Sequence, residues 1–143
     1  MPESAPRTLP PRLGYGPDVR ASVRLPCERQ SARLARRFVT ETLSSWLGPR
    51  QHEVAELLTG ELVTNAVLHA NTDVGVTVSL ARTVVRIEVE DGSDRPPVPT
   101  DADQYAGSGR GLRLIDDLSD GWGVEPVAGG GKTVWFVLDD GSC

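Results

Sequence analysis

The chain is poor in cysteine, with only Cys27 and Cys143 among its 143 residues. Small domains that depend on disulfides carry denser cysteine patterns than this pair, and one of the two is the last residue. We therefore interpret both as incidental thiols of a protein in a reducing cytoplasm.

Long apolar runs are also lacking. No run approaches the roughly 18 residues of a membrane-spanning helix. The first residues, "MPESAPRTLPPRLGYG", contain no apolar core like that of a signal peptide. These features predict a cytoplasmic protein that does not associate with membranes.

Positive charge is in deficit, because 15 Lys and Arg residues face 20 Asp and Glu residues, giving a net charge of −5. Nucleic-acid-binding modules normally need a basic field to attract phosphates, so direct nucleic-acid binding is not expected. A nucleotide ligand stays open, since a few local donors and a metal are sufficient to bind it.

Aromatic residues make up only 5% of the chain, so its core must consist mostly of Val, Leu and Ala. The length fits one domain. Residues 1–19 are polar and rich in proline, which predicts a flexible N-terminal arm ahead of a single domain over residues 20–140.

The spacing of apolar residues predicts, in chain order, a strand, two helices, a hairpin, a long loop, a short helix and a second hairpin. The strand covers residues 21–26, and the two helices cover 28–47 and 51–69. The first hairpin consists of 74–81 and 83–91, and the long loop covers 92–109. The short helix covers 110–119, and the second hairpin consists of 121–127 and 132–139. Short turns between strands, and helices able to cover one face, predict an α+β fold. Its architecture would be a two-layer α/β sandwich with a mixed, mostly antiparallel sheet.

The segment "GELVTNAVLHA" places Glu61 and Asn65 four residues apart, on one face of the second helix. Buried amides and carboxylates need partners, and local hydrogen bonds are one way to supply them. The alternative is that Asn65 offers its carbonyl oxygen to Mg²⁺ while Glu61 orients or deprotonates a hydroxyl. His69, near the helix end, is expected to be a capping or packing residue rather than a ligand.

Two further polar residues stand at strand ends. Asp91 precedes Gly92 at the end of an alternating strand, where Asp-Gly is either a simple turn or a carboxylate that can accept a hydrogen bond from an adenine amine. Thr133 begins the last strand, where it is either a β-branched strand former or a hydroxyl that touches a base.

The segment "GSGRGL" carries glycine at every second position in front of the short helix. It is either a flexible turn or an anion site, because backbone amides at a helix start lack acceptors and glycine permits close approach. It matches neither a P-loop nor a dinucleotide-binding fingerprint.

Taken in order, "ELVTNAVLHA", "VEDGS", "GSGRGL" and "GKTVWF" resemble the N, G1, G2 and final Thr boxes of the Bergerat-fold (GHKL) ATPases. The resemblance covers residues 28–139 and is strongest to the small bacterial anti-sigma-factor serine kinases. It implies the Bergerat ATP-binding fold, with ATP and Mg²⁺ as ligands.

By this resemblance Asn65 would coordinate Mg²⁺ and Glu61 would be the general base. Asp91 with Gly92 would bind the adenine amine, supported by Thr133. Residues 93–106 would form a lid over the ATP, and Lys132 would lie near the phosphates. The phosphates themselves would contact residues of the loop and of the helix start: Gly107, Ser108, Gly109, Arg110, Gly111 and Leu112. One departure is Ser93, which stands where the family usually has the G1 glycine.

The implied function is an ATP-dependent serine kinase that binds a sigma factor and phosphorylates an antagonist protein of the anti-anti-sigma type. The first helix carries four arginines, which form either a docking stripe or a solvated face: Arg29, Arg33, Arg36 and Arg37. Formation of a homodimer is a further possibility. The alternative function is a nucleotide-sensing or sequestering module without catalysis.

Overall fold

A computed structural model describes residues 19–44, 46–93 and 111–139 of the chain. The five strands are β1 (Val19–Leu25), β2 (Val74–Ala81), β3 (Val84–Asp91), β4 (Gly121–Pro126) and β5 (Lys132–Asp139). The three α-helices are α1 (Ser31–Thr42), α2 (Pro49–Asn65) and α3 (Gly111–Leu118), and a π-helical turn, Ala66–Ala70, follows α2. Val19, expected in the arm, belongs to β1, and residues 1–18 lie outside the described part.

The strands form one sheet in the order β1-β2-β3-β5-β4. All four pairings in the described strands are antiparallel, so the sheet is antiparallel there rather than mixed. Short turns make this possible: Arg82 adopts a left-handed φ of 59° between β2 and β3, and Gly129 to Gly131 have positive φ between β4 and β5. The predicted α+β class is confirmed.

Strict alternation divides the central strands into two faces. The face toward the helices is apolar, and its buried side chains are Val74, Val76, Val78, Leu80, Val85, Ile87, Val89, Val134, Phe136 and Leu138. The other face is polar, and there the Arg86 guanidinium stacks on Trp135 at 4.4 Å from the ring centroid. Within the described residues, the core therefore lies on one side of the sheet.

The helices cover the apolar face as one layer. α1 packs on α2, and both bury small and branched side chains against the sheet, among them Ala35, Val39, Leu43, Ala55, Leu58, Leu62 and Val63. α1 ends at Thr42, five residues before its predicted end. His52 Nε2 lies 3.0 Å from the carbonyl oxygen of Leu43, which satisfies an acceptor at the end of α1.

Among the described residues, Phe136 is the largest fully buried side chain, and it belongs to the apolar face of the sheet. We expect Phe136→Ala to lower the free energy of unfolding by about 3–5 kcal/mol, because the truncation leaves a cavity in a packed core. Urea denaturation of purified protein measures this. Val84→Ala, at a strand end with 38% of its surface exposed, is the control and should change stability by less than about 0.5 kcal/mol. Equal losses for the two variants would contradict the described core.

Candidate nucleotide-binding site

Asn65 is the last residue of α2, and its side-chain oxygen is the most informative polar atom of that helix. Asn65 Oδ1 is buried and has no hydrogen-bond partner within the described ranges of the chain. A buried acceptor without a partner costs about 1–3 kcal/mol, so this position is stabilised by any ligand that supplies positive charge. Mg²⁺ prefers hard oxygen ligands of this kind, and Asn65 therefore fits the metal that the sequence implies.

The backbone changes directly after Asn65. Residues Ala66–Ala70 form a π-helical turn, which the Asn71 N–H closes by donating to the Ala66 carbonyl oxygen at 2.9 Å. π-helical turns inside or after α-helices are frequent at functional sites, because the wider turn re-aims the side chains around it. His69 lies in this turn and is exposed, so it is not a packing residue of the core.

Glu61 lies one turn before Asn65, and its Oε1 atom is buried. It also lines a groove of about 400 Å³ between α1 and α2, together with Arg36, Glu53, Glu56, Leu57, Gly60 and Thr64. Gly60 permits the Arg36 side chain to cross α2 here, since a Cβ at position 60 would lie 2.6 Å from Arg36 Nη1. Glu61 therefore lies close to Asn65 along α2 and also borders the surface groove.

Asp91 ends β3 and pairs in register with Lys132 at the start of β5. The Lys132 ammonium lies 3.1 Å from Asp91 Oδ1 and 3.0 Å from Oδ2, and only 8% of Lys132 and 6% of Asp91 are exposed. Buried charges are tolerated when they are paired and hydrogen-bonded, and here each supplies the partner of the other. Lys132 thus contacts Asp91, the residue predicted to bind adenine.

The turn after β3 fixes the Asp91 carboxylate further. The Ser93 N–H donates to Asp91 Oδ1 at 2.8 Å, and the Gly92 N–H donates to Thr72 Oγ1 at 2.9 Å. Ser93, in place of the usual glycine, therefore still supplies a backbone contact to the carboxylate. Gly92 is held against Thr72.

Thr133 is not brought to Asp91. It pairs in register with Glu90, and directly opposed residues share a face while neighbours along a strand alternate. Thr133 therefore lies on the polar face, away from the helices, whereas Asp91 and Lys132 lie on the helix-covered face. The register therefore places Thr133 and Asp91 on opposite faces of the sheet, and the role of Thr133 at the base stays a prediction.

The predicted phosphate-binding residues are described only in part. Gly107, Ser108, Gly109 and Arg110 lie outside the described residues, as do residues 94–106 of the predicted lid. Gly111 and Leu112 form the start of α3, where backbone N–H groups lack helical acceptors, and the buried Leu112 side chain joins the core. α3 packs against α2 and β4, so its first turn belongs to the same layer as Asn65.

The family profile of the histidine kinase-like ATPase domain matches residues 25–138 of the chain. The chain belongs to this family. Its domains bind ATP, usually with Mg²⁺, so the chain is an ATP-binding module, and the resemblance to GHKL ATPases is confirmed.

A solved structure shares the fold of this ATPase domain: the crystal structure of the RsbU and RsbW domains of Rv1364c from Mycobacterium tuberculosis, with a TM-score of 0.67 at 20% identity. The similarity covers 85% of this chain and 32% of that one, so the domain spans about a third of the solved chain. No curated protein matches the sequence.

Within residues 19–44, 46–93 and 111–139, no group of three or more His, Cys, Asp and Glu side chains is arranged to hold a metal ion. None of the helices in the same ranges has both the length and the apolar character needed to cross a bilayer.

Motif comparison missed the contact between Asp91 and Lys132, although a signal for it was present. Alternation along "VVRIEVED" and "KTVWFVLD" places both residues on the same face as the core valines. Asp91 lies two residues after Val89, and Lys132 lies two residues before Val134, so alternation alone predicts that both share the face of these valines. The family motif instead pointed to Thr133.

Gly131 allows β5 to approach the end of β3. A Cβ there would meet the Asp91 carbonyl oxygen, and the residue has a φ of +105°. We expect Gly131→Ala to lower the free energy of unfolding by at least about 2 kcal/mol, through backbone strain and this clash. Gly129→Ala is the matched control, because its φ is +92° but a Cβ would meet nothing within 4 Å. Urea denaturation should show the greater loss for Gly131→Ala, and equal losses would mean that the close approach does not matter.

Proposed function

We propose that this ATPase domain is an ATP-dependent protein serine kinase that binds a sigma factor and phosphorylates an antagonist protein. The observation that carries the proposal is the placement of Glu61 one turn before Asn65, with Asn65 Oδ1 buried and ready to accept a metal. A module that only bound nucleotide would need Asn65 but would have no use for a carboxylate beside it.

Each residue then has a chemical task. Asn65 Oδ1 holds Mg²⁺, Asp91 accepts a hydrogen bond from the amino group of adenine, and the first-turn amides of α3 bind phosphate oxygens. Bound Mg-ATP supplies the γ-phosphoryl group. Glu61 takes the proton of the attacking serine hydroxyl as its oxygen bonds to phosphorus, and ADP leaves.

The groove beside Glu61 supports a protein as the acceptor. It is open along α1 and α2, and its lining mixes the charge of Arg36 with that of Glu53 and Glu56 around the half-exposed Leu57. A second groove of about 420 Å³ adjoins it and includes Arg33, Arg36 and Arg37. A serine-bearing segment lying in the first groove would present its hydroxyl to Glu61, while α1 would contact acidic parts of the partner.

The similarity of the fold to a structure containing an RsbW domain supports the same proposal. In the resemblance given by the sequence boxes, small stand-alone kinases of this kind both sequester a sigma factor and phosphorylate its antagonist.

Substitution of Glu61, the proposed general base, should slow phosphate transfer without weakening ATP binding. We expect Glu61→Gln to bind Mg-ATP within about threefold of the original affinity but to transfer phosphate about 10²–10⁴-fold more slowly, because loss of a general base costs that much. Purified protein is incubated with [γ-³²P]ATP, Mg²⁺ and soluble protein from the source cells, and labelling is followed in time. Glu125→Gln, on β4 with 46% of its side chain exposed and outside both grooves, is the control and should keep the original rate.

The label itself distinguishes the acceptor. Phosphoserine survives brief acid treatment, whereas phosphohistidine is hydrolysed, so acid-stable label supports the proposal. Equal labelling by Glu61→Gln and the original protein would refute the base assignment. ATP binding with no labelled protein at all would favour a nucleotide-sensing or sequestering module instead.

The role of Asn65 is tested through stability. At 100 times its dissociation constant, Mg-ATP should stabilise the original protein by about 2.7 kcal/mol. We expect Asn65→Ala to lose most of this stabilisation, and Asn65→Asp to retain more of it because it keeps an oxygen ligand. Thermal denaturation is measured with Mg-ATP and again with ATP and EDTA. If Asn65→Ala lowers the stabilisation equally with and without Mg²⁺, the residue does not hold the metal.

A further inference from the structure

The buried pair of Asp91 and Lys132 has features that the proposed function does not use. ATP binding at this site requires only the Asp91 carboxylate at the base, yet a buried ammonium group lies within 3.1 Å of both its oxygens. Lys132 is fixed there by the register of β3 with β5, so it is part of the wall that meets a base bound at Asp91.

The pair of Asp91 and Lys132 has hydrogen-bonding positions that its own contacts do not use. Asp91 Oδ1 accepts from Lys132 and from the Ser93 N–H, and Oδ2 accepts from Lys132. A carboxylate has about four acceptor positions and an ammonium has three donors. Among the described residues, one acceptor position at Oδ2 and at least one N–H of Lys132 therefore remain. The pair therefore presents an acceptor and a charged donor side by side.

Adenine has the complementary pattern on its edge. Its C6 amino group donates, and the neighbouring N1 atom accepts. Guanine has the reverse order, with an accepting carbonyl at C6 and a donating N1–H. With the amino position set by Asp91, guanine would place its carbonyl oxygen against the carboxylate and its N1–H against the ammonium.

We propose that Lys132 is a base-specificity residue that donates a hydrogen bond directly to N1 of adenine while Asp91 accepts from the amino group. The proposal rests on ATP binding at Asp91, which is part of the proposed function. It gives Lys132 a role beyond neutralising Asp91: the pair distinguishes adenine from guanine at two neighbouring positions.

The sharpest test changes the ligand and leaves the protein intact. 1-Deaza-ATP carries C–H in place of N1, so it removes the acceptor alone. Isothermal titration calorimetry of the original protein with Mg²⁺ should show about 10- to 100-fold weaker binding of 1-deaza-ATP than of ATP, the loss typical of a hydrogen bond from a charged donor. 7-Deaza-ATP, which keeps N1 and loses another ring nitrogen, is the control ligand and should bind within about threefold of ATP.

A variant completes a double-mutant cycle. Lys132→Met keeps most of the side-chain volume and removes the donor, so it should bind ATP and 1-deaza-ATP with nearly equal affinity. Its preference for ATP over GTP should also be smaller than that of the original protein. A purely structural Lys132 would lower stability but leave the ratio of ATP to 1-deaza-ATP affinity unchanged.

Each outcome decides the matter. Equal binding of ATP and 1-deaza-ATP by the original protein overturns the proposal, and so does tighter ATP binding by Lys132→Met, which would make Lys132 an obstacle to the base. If Lys132→Met does not fold by circular dichroism, Lys132→Arg, which keeps a donor, replaces it and should retain discrimination against 1-deaza-ATP. Absence of ATP binding would overturn the proposed function as well, whereas ATP binding without discrimination overturns only the role of Lys132.

Discussion

The register of β3 against β5 is the constraint on which the candidate site depends. These strands are separated in sequence by α3 and β4, yet their antiparallel pairing sets Asp91 directly opposite Lys132. Because alternation is strict, a shift of β5 by one residue would turn Lys132 to the polar face and Thr133 toward the core, leaving Asp91 without its partner. The apolar side chains of Val89 and Val134, buried next to the pair, hold the register. The chemistry at the base end of the site thus follows from the packing of the core.

The other end of the site is built differently. Asn65 and Glu61 are positioned by a helix, and that helix is fixed by Leu58 and Leu62, which are buried between α1 and the sheet. Here one atom lowers the stability of the fold, because Asn65 Oδ1 is buried without a hydrogen-bond partner among the described residues. Sites that bind ligands commonly store such a cost, and the ligand relieves it. One end therefore satisfies its charges internally, while the other leaves a buried acceptor without a partner among the described residues.

The sequence was sufficient for the elements and the family, and insufficient for the contacts between strands. The β2 and β5 ranges agree with their predicted bounds because alternation of valines with polar residues is a strong local signal. α2 begins two residues early, at Pro49, and continues as a π-helical turn, which depends on packing that spacing does not encode. Thr133 was assigned from a motif, and the motif does not say which face a residue occupies. The opposition of Asp91 and Lys132 depends on strand order, which local patterns do not fix.

Charge gives the pair a second consequence. The chain has a net charge of −5, and its ATP ligand is a polyanion, so every uncompensated carboxylate in the site opposes binding. A lone buried Asp91 would add to this repulsion and would pay its own desolvation cost. Lys132 cancels the charge of Asp91 while leaving an acceptor position on the carboxylate, and the Ser93 N–H holds the carboxylate in one orientation. In the proposed complex the base would meet groups that are already ordered, so little conformational entropy would be lost there on binding. In the proposed complex, the same ion pair would therefore serve both recognition of the base and tolerance of the phosphates.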